Sequence, residues 1–246
     1  MAVVTAGLRA ARAPFLVGLG FAAASHPAVA GLAVGLVADG AGPRPLAPDR
    51  LLALAANHLA LTGAGLLLVA GLGIALGIAA TRPALAPIRG GIDAFAALAQ
   101  AVPPVVVVAL ALPVLGFGGP PTLLALLAYG LMPCIRGTVG ALEAVPRETR
   151  AAAEAIGLTP GQILARVELP LAAPGLIETV RTALVLSVSV AAVGALAGAS
   201  TLGTPIVAGL QNQNFAAMLQ GTLATAALAF LGDAALLAVG GWMRRD

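Results

Sequence analysis

The reading of this chain turns on Ala151-Ala152-Ala153-Glu154-Ala155-Ile156-Gly157-Leu158-Thr159-Pro160, continued by Gly161-Gln162-Ile163-Leu164-Ala165-Arg166-Val167-Glu168-Leu169-Pro170. The alanine-rich run from Glu143 to Ile156 is a strong helix composition, and Gly157 supplies a C-terminal stop. Thr159 then reads as an N-cap with Pro160 at the first helical position, opening a second short helix through Arg166. Leu169-Pro170 is expected to close that helix, and Pro174 to mark the approach to the next apolar run. The predicted product is helix, glycine turn, helix. It lies in the longest polar stretch of the sequence, 142–178. A bare linker needs no pair of capped helices, so a docking surface is expected there.

Everything around that stretch is apolar. Of 246 residues 60% are hydrophobic, 31 more are glycine and only 9% are charged, with a mean hydropathy of +1.02. Nearly three-quarters of the chain is apolar, against about 45–50% for soluble domains counted the same way. There is too little polar surface to cover a water-soluble globule. That excludes a cytosolic enzyme, a disordered region and a secreted domain, and makes the chain an integral membrane protein of all-α class.

A bilayer core about 30 Å thick takes roughly 20 apolar residues. Six stretches reach or approach that length: 14–38, 59–80, 92–116, 121–141, 179–199 and 216–242. All 13 basic residues are arginine. With the N-terminus in the cytoplasm, the inner side holds Arg9, Arg12, Arg82, Arg89, Arg136, Arg147, Arg150, Arg166, Arg181, Arg244 and Arg245, and the outer side only Arg44 and Arg50. This is the bias expected of cytoplasmic loops, and it puts both termini and the 142–178 loop inside. The first run also resembles a signal peptide, with Arg9 and Arg12 before it and Ala28-Val29-Ala30-Gly31 as a small-residue cleavage site. It continues past that site to Ala38, which favours a retained helix. Gly31 with Gly35, and Gly73 with Gly77, make GxxxG pairs suited to close helix packing.

Other functions find little support. Without lysine there is no phosphate-binding loop of the GxxxxGK[ST] form. The pI near 10.4 reflects a net charge of only +3 with no basic cluster beyond two adjacent arginines, so no nucleic-acid partner is expected. One cysteine, Cys134, excludes an internal disulfide framework, and with only His26 and His58 no metal site is expected. No catalytic constellation is evident. Asp233 is an acid within the last apolar run, expected to pair with an arginine of this chain or of a second copy. His26-Pro27 falls mid-run and is expected to make a satisfied kink.

The 151–170 segment resembles the signature loop of ABC importer permeases, which reads E-A-A, three residues, G, nine residues, I, one residue, L-P. Gly157, the nine-residue spacing and Leu169-Pro170 fit, with Val167 in place of isoleucine and Ala151 in place of the first glutamate. The resemblance runs over roughly residues 57–240. His58–Thr62, Gln100–Pro103, Leu115–Gly118, Tyr129–Arg136 and Arg181–Ala183 look like the osmoprotectant branch, whose members import glycine betaine, choline or carnitine. Gly198-Ala199-Ser200-Thr201-Leu202-Gly203 looks like that branch's Gly-Ala-Gly-Gly-Leu-Gly, with Ser200 and Thr201 replacing two glycines.

The resemblance implies a five-helix type I permease core with an added N-terminal helix, in the bacterial plasma membrane. Residues 1–50 would form that helix and an outer loop, and 51–242 the transport domain. Two permease copies would enclose one path. Two separate ATPase subunits, carrying ATP and Mg, would dock on the loops, and an extracytoplasmic binding protein would deliver substrate; none is expected fused within this chain. When ATP binds, the ATPase pair would close, draw the loops together and open the path outward. The implied coupling surface is Arg150, Ala151, Ala152, Ala153, Glu154, Gly157, Pro160, Arg166, Val167, Leu169 and Pro170, with Arg150, Glu154 and Arg166 either pairing with the ATPase or simply solvated. Candidate path or gate residues are Tyr129, Ser200, Thr201, Gly203, Gln211 and Asn212, with packing or solvation as the alternative. With one Trp, one Tyr and six Phe the chain is poorly supplied for the aromatic cage that binds quaternary ammonium, so tight binding belongs to the external partner. The alternatives are a permease for an amino acid or oxyanion, and an ATP-independent secondary transporter.

Overall fold

The structure is a computed structural model, and it describes residues 2–36, 44–83, 90, 91, 94, 98 and 101–243. All regular structure among them is helical: α1 (Ala2–Ala24), α2 (Pro27–Gly35), α3 (Pro48–Ala80), α4 (Pro104–Leu115), α5 (Gly119–Glu143), α6 (Arg147–Ala155), α7 (Pro160–Ile163), α8 (Leu169–Val193), α9 (Gly203–Gln211) and α10 (Phe215–Met243). Among the described residues four helical runs are long and apolar enough to cross a bilayer: α3, α5, Pro160–Ala197 around α8, and α10. The bent pair α1 and α2 makes a fifth if taken as one span. Six were expected. The expected span at 92–116 lies partly outside the described residues, and α4 alone, with 12 residues, is about 18 Å long.

Two boundaries also differ from expectation. Helix α3 starts at Pro48 rather than near 59, because Pro48 sits at its first position and Asp49 in its first turn, both favourable at a helix start. Helix α8 starts at Leu169, ten residues before the expected span. Its N-terminal part therefore occupies what composition marks as polar loop.

The bundle is assembled by glycines. Along α3 and α5 a small residue faces a larger one at every fourth position. A Cβ added to Gly65 would lie 2.6 Å from Leu126, one on Gly73 2.6 Å from Cys134, one on Gly77 2.5 Å from Thr138, and one on Gly130 of α5 2.8 Å from Val69 of α3. The numbers rise together, so the two helices run parallel. The chain between Ala80 and Gly119 therefore returns from one end of the bundle to the other. Against α5 lies α8, antiparallel, with Gly137 facing Thr179, Gly175 facing Ala141 and Gly194 facing Thr122. Helix α10 packs antiparallel on α8 through Gly232 and Gly240, and α1 antiparallel on α10, where Gly7 and Gly241 touch backbone to backbone. Of the two expected GxxxG pairs, Gly73 and Gly77 are contact glycines. Gly31 and Gly35 have nothing closer than Pro45 at 3.9 Å from an added Cβ.

Buried polar side chains tie these helices crosswise. His58 of α3 is fully buried. Its Nδ1 accepts from the Leu202 backbone N–H at 3.2 Å, which leaves the proton on Nε2, 3.1 Å from the Val188 carbonyl of α8. Gln220 of α10, equally buried, accepts from Leu46 N–H at 2.7 Å and donates to the Ser25 carbonyl at 3.1 Å. Ser25 is where the first run breaks: His26 caps α2 by accepting from Ala28 N–H, Pro27 is its first residue, and the helix axes differ by 73°. Asp233 of α10 takes the fork of Arg181 of α8, with Nε–Oδ1 at 2.7 Å and Nη2–Oδ2 at 3.0 Å. The expected intrachain partner of Asp233 is thus Arg181.

The seams also fix which chain segments share an end. The start of α1, the ends of α3, α5 and α10, the start of α8, and α6 with α7 lie together, here called the loop end. Arg9, Arg12, Arg82, Arg136, Arg147, Arg150, Arg166 and Arg181 lie toward it. Arg44 and Arg50 lie at the opposite end, where the Arg44 carbonyl accepts from Asn214; Arg89, Arg244 and Arg245 fall outside the described residues.

Two outcomes test this packing. Gly73→Ala should lose about 1–3 kcal/mol of stability through overpacking, whereas Gly71→Ala, with open space around its Cβ, should be neutral or gain up to about 1 kcal/mol; thermal unfolding in detergent separates them. His58→Leu comes near the imidazole's volume but strands the Leu202 N–H, and should cost about 1–3 kcal/mol in the same assay.

Candidate functional site

At the loop end the local sequence signals become geometry. Helix α6 stops in a Schellman arrangement: Gly157 N–H donates to the Glu154 carbonyl at 2.9 Å and Leu158 N–H to the Ala153 carbonyl at 3.1 Å. Gly157 itself has φ +83°, a left-handed backbone that a β-branched residue resists. Two residues on, Thr159 and Gln162 form a reciprocal capping box. Gln162 N–H donates to Thr159 Oγ1 at 3.4 Å, Thr159 N–H donates to Gln162 Oε1 at 2.9 Å, and Pro160 is the first residue of α7. A small apolar cluster of Leu142, Val145 and Ala172, with Leu164 and Leu169 against it, seats the loop on the ends of α5 and α8.

Beyond α7 the structure departs from expectation. Leu169-Pro170 does not close the second helix, and Pro174 lies inside α8 rather than ahead of a span. A π turn, Leu164–Glu168, connects α7 to α8 without a break, and Leu169 N–H donates to the Leu164 carbonyl five residues back. A proline in an ordinary helix lacks the N–H for the ladder and crowds the carbonyl four residues earlier. Widening the ladder just before Pro170 relieves both problems, so the helix passes through.

The expected coupling residues divide by exposure. Ala151, Ala152, Glu154, Gly157, Pro160, Arg166 and Pro170 are exposed, Val167 and Leu169 are half-buried, and Ala153 is buried. Ile156, beside the glycine, is 78% exposed and forms an apolar tip. Arg150 points inward: its Nη2 donates to the Leu142 carbonyl and its Nε lies 3.0 Å from Glu168 Oε1. Glu168 is 5% exposed and also receives Arg82 Nη2 at 2.7 Å on Oε2. Sequence reasoning passed over Glu168. Its only signal is an acid set between Val167 and Leu169 at the edge of an apolar run, where an unpaired carboxylate is costly.

The candidate path residues do not converge. Ser200, Thr201 and Gly203 lie at the start of α9, and Gln211 and Asn212 at its end, separated by about 12 Å of helix. Thr201 is buried, and its hydroxyl accepts from Gly203 N–H at 3.2 Å. A Cβ on Gly203 would fall 1.9 Å from the Ala192 carbonyl oxygen, so that position admits no side chain. Ser200, Gln211 and Asn212 are exposed. Tyr129 packs beside Val108, Leu126 and Val190 and donates its hydroxyl to the Val102 carbonyl at 2.5 Å.

Comparison with known proteins gives the family and the fold. Residues 73–245 match the family of binding-protein-dependent transport system inner membrane components. The osmoprotectant import permease protein OsmY of Salmonella typhimurium is 34% identical over 186 residues, 76% of this chain and 79% of that protein. The glycine betaine/carnitine/choline transport system permease protein OpuCD of Bacillus subtilis is 33% identical over 190 residues, 77% of this chain and 80% of that one. A Helicobacter pylori protein named ergothioneine transport permease/ergothioneine binding protein EgtU is 38% identical over 132 residues, 54% of this chain and 24% of that protein. The fold is that of a chain in the inward-facing MetNI methionine ABC transporter, with a TM-score of 0.73 at 23% identity, covering 80% of this chain and 98% of that one. With the family matching well over half of its length and relatives one-third identical spanning three-quarters of it, this chain belongs to the inner membrane components of binding-protein-dependent transport systems.

Proposed function

We propose that this permease forms the translocation path of an ABC importer for a small osmoprotectant such as glycine betaine, choline or carnitine. The observation that carries the coupling half of this reading is the loop: two capped helices around a left-handed Gly157, with the apolar Ile156 beside it uncovered by the rest of the chain. An exposed, capped pair of short helices is what a separate ATPase subunit could grip. The substrate half rests on the relatives named for osmoprotectant, glycine betaine, carnitine and choline transport. Ergothioneine is a second reading, favoured by the match to the permease named for it.

In this reading the loop end faces the cytoplasm, which matches the eight described arginines gathered there against two at the opposite end. Both termini are then cytoplasmic, residues 1–50 supply an added N-terminal helix, and residues 51–242 are the transport domain. A second permease copy completes the path, an external binding protein delivers substrate, and ATP and Mg belong to the ATPase. Ala151, Ala152, Glu154, Pro160 and Arg166 form the exposed docking face. Gly157 sets its angle, Val167 and Leu169 seat it, and Arg150 supports it from behind. Ser200 at the start of α9 and Gln211 and Asn212 at its end offer polar contacts for the binding protein or the passing solute. Thr201, Gly203 and Tyr129 hold the surrounding backbone.

Replacing Gly157 with valine tests the coupling half. A left-handed backbone costs a residue with a Cβ roughly 1–2 kcal/mol, which the exposed loop would relieve by changing its turn. The variant should insert normally yet lose the co-purifying ATPase or its transport-linked hydrolysis. Unaltered transport-coupled hydrolysis in Gly157→Val would sink the assignment.

A further inference from the structure

We infer that Glu168 is the joint through which movement of the α6–α7 loop reaches the membrane helices, acting as a positioning residue through Arg82 and Arg150. This rests on the proposed docking of an ATPase to that loop.

Three observations carry it. Glu168 is buried, yet each carboxylate oxygen faces a different guanidinium: Oε2 accepts a hydrogen bond from Arg82 Nη2 at 2.7 Å, and Oε1 forms an ion pair with Arg150 Nε at 3.0 Å without hydrogen-bond alignment. Each arginine also holds the last turn of a different membrane helix. Arg82 Nε donates to the Ile78 carbonyl of α3 at 3.3 Å, and Arg150 Nη2 donates to the Leu142 carbonyl of α5. Both carbonyls lie in the last turn of a helix, where cations are favoured, and each also accepts a backbone N–H at 3.1 Å, Ile78 from Thr81 and Leu142 from Val145. One carboxylate thus gathers the ends of α3 and α5, the helix α6, and the beginning of α8.

The third observation is mechanical. Glu168 is the last residue of the π turn, a widened stretch of helix of the kind found at functional bends. A push on α7 bends the chain there, and Glu168 is where the bent segment is fastened to its neighbours. Apolar packing alone would hold these helix ends together at less desolvation cost. A buried ion cluster adds direction and register, the best-attested use of such groups.

The test uses the assembled transporter in lipid nanodiscs, with its ATPase subunits and its binding protein charged from a mixture of glycine betaine, choline and carnitine. The readout is the ratio of ATP hydrolysis with and without the charged binding protein. Glu168→Gln keeps the shape and removes the charge. It should retain the ATPase through purification while the ratio falls roughly fivefold or more, in the range of allosteric coupling energies. Adding Arg82→Gln to Glu168→Gln should cost no more than the worse single change, since both break one linkage. A wild-type ratio in Glu168→Gln, or losses that simply add, overturns the joint while leaving the docking reading intact. A wild-type chain that holds no ATPase takes down the docking reading itself. Should Glu168→Gln fail to assemble, Arg82→Gln and Arg150→Gln carry the same test, because both side chains are partly exposed, 30% and 28%. Wild-type ratios in both then overturn the proposal.

Discussion

Helices surrounded by lipid gain little by hiding apolar faces from one another, so their association depends on how closely their backbones approach. Every long-helix seam described here answers to that constraint. Glycines of α3 take side chains of α5, those of α5 and α8 take each other's, and α1 meets α10 where two glycines touch directly. Among the described residues the Phe21–Phe230 contact, with ring centroids 5.7 Å apart, is a small addition to the glycine seam beside it.

Close approach leaves little room for error in the polar groups the helices carry inward. His58, Gln220, Asp233 and Glu168 each meet partners on another segment, far away in sequence. The first two hold the opposite end of the bundle, Glu168 holds the loop end, and Asp233 ties α8 to α10 between them. Each belongs to a cross-tie between elements that glycine packing alone leaves adjacent but unfastened.

Which of this could be read in advance follows from the range of the forces involved. The all-α class, Gly157 and the Thr159 cap were legible, because they follow from composition and from preferences spanning four or five residues. The inward turn of Arg150, the partners of His58 and Gln220, and the role of Glu168 were not, because each depends on a residue between 18 and 195 positions away. Asp233 falls between these cases: its cost in an apolar run demanded a partner, but only the structure identifies Arg181. The passage of the helix through Pro170 was misread for another reason. Proline in sequence is a stop signal, and the π turn that cancels it leaves no mark of its own in the preceding residues. Similarly, α3 extends well beyond its most apolar part, so its start follows the favourable cap at Pro48 and Asp49 rather than hydropathy.

The pairing of α3 with α5 limits how the bundle can move. Reading along the two helices, Gly65, Val69, Gly73 and Gly77 meet Leu126, Gly130, Cys134 and Thr138. A slip by one rung, about 6 Å, would set Gly65 against Gly130 and leave a gap, while Val69 would collide with Cys134. The alternation of large and small is therefore a one-position code, like the wards of a key. That register opposes sliding of α3 along α5, and a rearrangement that slides one helix past another is more easily accommodated at other seams.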